Sequence, residues 1–150
     1  MSIDKESLHL HCINVVKEKI RIFENELKAL TRSASSDTKS SMGDKYETSR
    51  EMINLEKGKI GQQLQHAQNM ALILRGINSS QLMDSAELGA VVRTNKTTFY
   101  LSAPLGQVSV NNKTCFCISM GSPIAREMIS KKIGDIFLMA GQSQEIIEIY

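Results

Sequence analysis

Asp44 and Glu47 stand three residues apart in GDKYE, residues 43 to 47, within a polar, Ser-rich stretch. Carboxylates at that spacing do one of two things. They form a capping box, in which Asp44 accepts a backbone hydrogen bond at a helix start and Glu47 reaches back. Or they offer hard oxygen ligands to Mg²⁺, which keeps several waters and takes only one or two protein carboxylates. Both roles coexist if a carboxylate oxygen stays free. Asp37 adds a third acid to the same stretch.

The other candidates are soft or basic. Cys115 and Cys117 alternate on an expected strand and share a face, with Phe116 and Ile118 on the opposite one. A zinc site would need a second Cys or His pair at suitable spacing, and none follows, so these read as buried small hydrophobes. His9 and Cys12, in HLHC, share a helical face but have no partner pair in the sequence. Lys17, Lys19, Arg21 and Lys28, with Lys39 and Lys45, offer a basic face toward RNA or another acidic surface. Glu18, Glu24 and Glu26 interleave with them, as on a solvated helix face. No GxSxG, HExxH or Gly-rich phosphate loop occurs. Without a self-sufficient catalytic constellation, the chain is not expected to be an enzyme. Any chemistry it serves uses groups lent to another protein's active site.

The elements that must carry these residues differ between the two halves of the chain. Ile13, Val16, Ile20, Phe23, Leu27 and Leu30 follow steps of three and four, the heptad seam of a helix packed along another helix. From about Lys45 to Arg75 a second seam runs through Ile53, Ile60, Leu64, Ala67, Ala71 and Leu74. It is interrupted by Gly58 and Gly61, each costing about 1 kcal/mol relative to Ala. Two such helices joined by a short polar loop predict an antiparallel coiled-coil hairpin over residues 1–76, with arms of roughly 45 Å and a polar tip near 33–47.

Residues 77–86 read as a linker, after which the period changes to two. ELGAVVRT, TFYLSAP, QVSV and KTCFCISM are short β-rich runs separated by turn signals at Asn95-Lys96, Leu105-Gly106 and Asn111-Asn112. Ser122 caps, and Pro123 opens, an expected helix over 123–132. IFLMA and SQEIIEI form a last hairpin. Residues 87–150 are therefore expected to fold as an antiparallel sheet packed on one helix, giving an α+β chain.

Bulk properties exclude several classes. The 150 residues are 41% apolar and 23% charged, with no Trp, as in ordinary soluble material. A net charge of +2 is far from the strongly basic footprint of a dedicated nucleic-acid binder. No apolar run approaches the roughly 20 residues of a membrane span, and the N-terminal residues lack a signal-peptide core. Three cysteines make no disulfide framework, so a reducing cytoplasm is the expected compartment.

The order of parts resembles the bacterial Gre family of transcript-cleavage elongation factors. GDKYE matches that family's Gly-Asp-x-x-Glu at the hairpin tip. GSPIAREMISKKIGD, residues 121 to 135, is close to its Ser-Pro-Ile-Ala-Arg helix start and Gly-Lys-Lys-x-Gly-Asp turn, and EIIEIY fits its last strand. The resemblance implies a C-terminal domain like the FK506-binding-protein fold, without isomerase work. It implies docking to bacterial RNA polymerase through the region of Ser122, Pro123 and Ile124, and entry of the hairpin into the secondary channel. Asp44 and Glu47 would assist catalysis at the polymerase active site and hold a Mg²⁺ shared with it, none being bound alone. Lys17, Lys19, Arg21 and Lys28 would lie near the nascent RNA 3′ end. The resemblance places the chain among DNA-binding transcription proteins, as a monomer with no membrane partner. After Glu47 the family usually continues Asn-Ala-Glu-Tyr, whereas Thr48, Ser49, Arg50 and Glu51 stand here. Two alternatives follow: a secondary-channel regulator that does not stimulate cleavage, or a coiled-coil interaction scaffold.

Overall fold

The computed structural model describes residues 2–37 and 44–150, with the side chains of 34–37 and 44–46 outside that description. The expected tip residues Lys39 and Gly43 therefore lie outside the described residues, as do the side chains of Asp37, Asp44 and Lys45. Two long helices open the chain, α1 (Lys5–Asp37) and α2 (Asp44–Arg75). They divide between two compact units, Val15–Asn69 forming one and the residues up to Asn14 joining Met70–Tyr150 in the other.

In the unit Val15–Asn69 the seams are where the sequence places them. Ile20, Phe23, Leu27 and Leu30 are half-buried, while the residues between them are exposed. On α2, Ile53 and Leu64 are half-buried, and Ile60 and Ala67 are buried. Lys57, also half-buried, fills the seam position between Ile53 and Ile60. A lysine serves there because its methylene stem covers apolar surface while the ammonium reaches water. Among the described residues the helices are this unit's only regular elements, so the two seams shield each other. Gly58 and Gly61 do not break α2, and an added methyl at either would meet nothing within 4 Å.

The second unit holds six strands: β1 (Val91–Thr94), β2 (Thr98–Leu101), β3 (Gly106–Val110), β4 (Lys113–Ile118), β5 (Ile136–Met139) and β6 (Gln142–Ile149). Their spatial order is β3-β4-β2-β1-β6-β5. The sheet is antiparallel as expected, except that β2 pairs with β4 in parallel. The reason is topological. The chain leaving β2 forms the edge strand β3 first, then turns back at Asn111-Asn112 so that β4 takes the slot between β3 and β2.

The helix after β4, α3 (Pro123–Met128), ends earlier than the expected 132. Ile129 leaves helical geometry, and Ser130 adopts φ 63°. The Ser130 amide then donates to Ala86 O at 2.9 Å, and Lys131 O accepts from the Ala86 amide at 2.8 Å. Backbone pairing with Ala86 outcompetes one more helical turn.

Alternation sorts the sheet's side chains onto two faces. Val92, Phe99, Leu101, Phe137, Ile146 and Ile149 pack with Ala125 and Met128 of α3, and Phe116 and Ile118 lie against this core. Val91, Tyr100, Cys115 and Cys117 are equally buried but point the other way. On that side the Tyr100 hydroxyl meets His9, and Cys117 meets Cys12, both on the first turns of α1. Leu8 and Leu74 are buried in the same unit. The helix ends, expected to belong to a hairpin domain running to residue 76, are thus part of the sheet's own unit.

Two substitutions test local geometry. Gly58→Ala is expected to stabilise the protein by about 1 kcal/mol, because the site is an open helix interior. The β5–β6 loop is Ala140-Gly141, both at positive φ, where Asn111-Asn112 serves the β3–β4 hairpin. Ala140→Asn is expected to gain on the order of 1 kcal/mol by relieving left-handed backbone strain. Urea midpoints measure both.

Candidate functional site

α2 begins at Asp44, the more N-terminal of the two spaced acids, and Glu47 lies in its first turn with an exposed side chain. A carboxylate in the first turn is favoured by unpaired backbone amides and the positive end of the helix dipole. That agrees with a helix-start role, and it leaves Glu47 in solvent, able to meet another molecule. Among the described residues, no group of three His, Cys, Asp or Glu side chains is arranged to hold a metal ion.

Of the three residues assigned to docking, two are occupied by folding. The Ser122 hydroxyl accepts from the Ala125 amide at 3.2 Å and donates to Ser119 O at 2.8 Å, capping α3. Ile124 is half-buried against the core. Pro123 is exposed, and so are Ile129 and Ile133 farther along the same segment. The basic residues Lys17, Lys19, Arg21 and Lys28 are all exposed on α1. Arg21 pairs with Glu18 one turn earlier, so part of that basic face is neutralised.

The fold brings together the two soft pairs that looked unrelated in sequence. Cys12 Sγ lies 3.5 Å from Cys117 Sγ, and all three cysteines are free and buried. Hydrogen bonding with Cys117 and burial together push the Cys12 thiol far above its ordinary range. Cys117 is pushed up to about 12, first by its hydrogen bond with Cys115 and then by burial. These are protonated, inert thiols. His9 Nδ1 shares a 2.7 Å hydrogen bond with the Tyr100 hydroxyl, and the ring also bonds the Leu74 backbone. The imidazole is a satisfied core group.

Tyr100 and Lys5 were missed by sequence reasoning. Nothing local marks Tyr100, because its partner lies 91 residues away. Lys5 had a signal: Lys5, Leu8, Cys12 and Val16 continue the buried stripe of α1 toward its start. A lysine in that stripe must have its ammonium accounted for.

No family model matches the chain, and no curated protein matches it. Among solved structures, the chain is similar to the transcription factor Gfh1 at 15% sequence identity and a TM-score of 0.35. The alignment covers 92% of each chain.

Burial, and then the charge of Lys5, hold the His9 imidazole below its usual titration range, against a smaller opposing contribution from its bond to the Leu74 backbone. The unfolded chain therefore binds a proton at a pH where the folded protein does not. Stability from His9 is fully present above its unfolded pKa of about 6.5 and is lost as pH falls through the lower folded value. Urea midpoints measured across this window should fall with pH for the parent protein. His9→Gln should flatten that slope.

Proposed function

We propose that the chain is a transcription elongation factor that binds RNA polymerase and assists Mg²⁺-dependent hydrolysis of backtracked RNA from within the secondary channel. It is an accessory protein, and the polymerase owns the active site. The observation that carries this reading is the placement of the acids: Asp44 opens α2, and Glu47 stands exposed in the first turn. The two-helix element, the α+β unit and the Ser122-capped α3 support it, together with the GDKYE and 121–135 motifs.

Two carboxylates suit the donor chemistry of Mg²⁺ but fall short of the roughly six ligands it takes, so they fit an ion shared with another protein's ligands. When bound, such an ion stabilises charge developing on the phosphate and lowers the pKa of a coordinated water. The chain's own part is positional. Asp44 and Glu47 share the first turn of the α2 backbone, and the solvated Glu47 side chain is ready for a partner's ligand set. Pro123 and the surrounding segment are assigned to polymerase docking. Lys17, Lys19 and Lys28 are assigned to nearby RNA, with Arg21 weakened by its pairing to Glu18. A monomer acting in the cytoplasm meets these requirements.

A second reading has its own observation. Thr48, Ser49, Arg50 and Glu51 follow Glu47 and put a cation into the turn after the acids. A factor so altered would occupy the channel and tune transcription without promoting cleavage.

Release of short RNA from stalled, backtracked complexes decides between them. Added protein should accelerate cleavage, and Asp44→Ala with Glu47→Ala should slow it by about a hundredfold, the scale expected for losing a charge-stabilising group. Equal cleavage by parent and double variant overturns the assignment of the acids. Polymerase binding with unchanged RNA length selects the regulator.

A further inference from the structure

Within the unit that holds the sheet lies a cavity of about 490 Å³, lined among others by Lys5, Ser79, Ser80, Asn111, Lys113 and Tyr150. We propose that this cavity binds a small oxyanion of the phosphate class, free or carried on a small organic body, through the ammonium groups of Lys5 and Lys113.

Lys5 carries most of the argument. Its residue is only 6% exposed, in a helix stripe otherwise filled by Leu8, Cys12 and Val16. An ammonium has three N–H donors, and burying one without compensation is costly. Here Lys5 Nζ donates to Gln81 O at 2.7 Å, a neutral carbonyl. Lys113 Nζ likewise donates to Ser2 O at 2.7 Å. Neither lysine is in an ion pair: among the described residues the pairs are Arg21 with Glu18 and Arg93 with Glu148. Two positive charges thus line one cavity, each held by a neutral acceptor.

Asp4 and Glu6 line the same cavity, but neither forms an ion pair with Lys5 or Lys113. Asp4 Oδ2 accepts from the Ser7 amide at 3.1 Å and the Ser7 hydroxyl at 2.5 Å, which uses it as the cap of α1. Glu6 is exposed. The Ser79 hydroxyl adds donor chemistry that suits phosphate oxygens, whereas the Ser80 hydroxyl is spent on Asn78 Oδ1 at 2.7 Å. Part of the wall is fixed, because the Tyr150 hydroxyl accepts from the Ile3 amide at 2.8 Å and donates to Ile3 O at 2.7 Å. The volume falls in the range of small-molecule sites, about 300–1,000 Å³. Lysines acting as point charges are established phosphate ligands.

The test is calorimetric titration of the full chain with inorganic phosphate and, separately, with adenosine monophosphate. Saturable binding of either supports the site. Binding of phosphate alone identifies a free-oxyanion site, and tighter binding of the nucleotide identifies a site for a carried phosphate. Lys5→Met and Lys113→Met should each weaken binding about tenfold or more, as expected for losing a hydrogen bond to a charged group. Lys96→Met, at a lysine that instead contacts Gln142, should leave it unchanged. If Lys5→Met does not fold, Lys113→Met decides. The proposal is overturned if neither probe shows saturable binding up to about 10 mM, well past the weakest useful affinity. It is also overturned if Lys96→Met weakens binding as much as the two cavity variants.

Discussion

A sheet with apolar side chains on both faces must be covered twice, and that requirement organises the half of the molecule that holds the sheet. Val91 and Val92 are adjacent on one strand and both fully buried, as are Phe99, Tyr100 and Leu101 on the next. One cover is α3, seated through Ala125 and Met128. The other is the start of α1 and the end of α2, whose Leu8, Cys12 and Leu74 are as buried as any strand residue. Fully burying a side chain such as Leu8 or Leu74 contributes roughly 1.5–3 kcal/mol. The sheet and the helix ends therefore stabilise one another. Polar groups drawn into that contact are paired, as His9 is with Tyr100 and the Leu74 backbone.

How much of this could be read in the sequence depends on the distance over which each interaction acts. The seam of α1 was legible because heptad spacing is local, and Ile20, Phe23, Leu27 and Leu30 are the shielded residues. On α2 the gap at Lys57 hid a seam position, since a charged residue is not counted as apolar although its stem packs. Ser122 and Pro123 announced the start of α3, whereas its end at Met128 depends on Ala86, 42 positions earlier in the chain. The parallel pairing of β2 with β4 carries no local mark at all. Likewise, His9 and Cys12 seemed to lack partners because Tyr100 and Cys117 are distant in sequence and meet them only across the folded sheet.

The candidate site divides along the same line. Asp44 and Glu47 were found from spacing alone, and the helix start that spacing implied is present. Of the three residues expected to dock, Ser122 and Ile124 do structural work around α3, and Pro123 is exposed. The basic residues of α1 keep their exposure but share charge with the acids between them, as Arg21 does with Glu18. Among the described residues, the groups of this candidate site that stay exposed are Glu47 in the first turn of α2, part of a basic face and a short segment around Pro123.

The burial of Cys12, Cys115 and Cys117 has a practical corollary. Thiols sealed from water in the native fold are out of reach of alkylating reagents. A cysteine introduced on the solvent side of either long helix would then be the sole reactive sulfur of the native protein. A fluorophore or spin label could be attached there without first removing the natural three, and slow labelling of the unaltered chain would report how often the sheet loses its second cover.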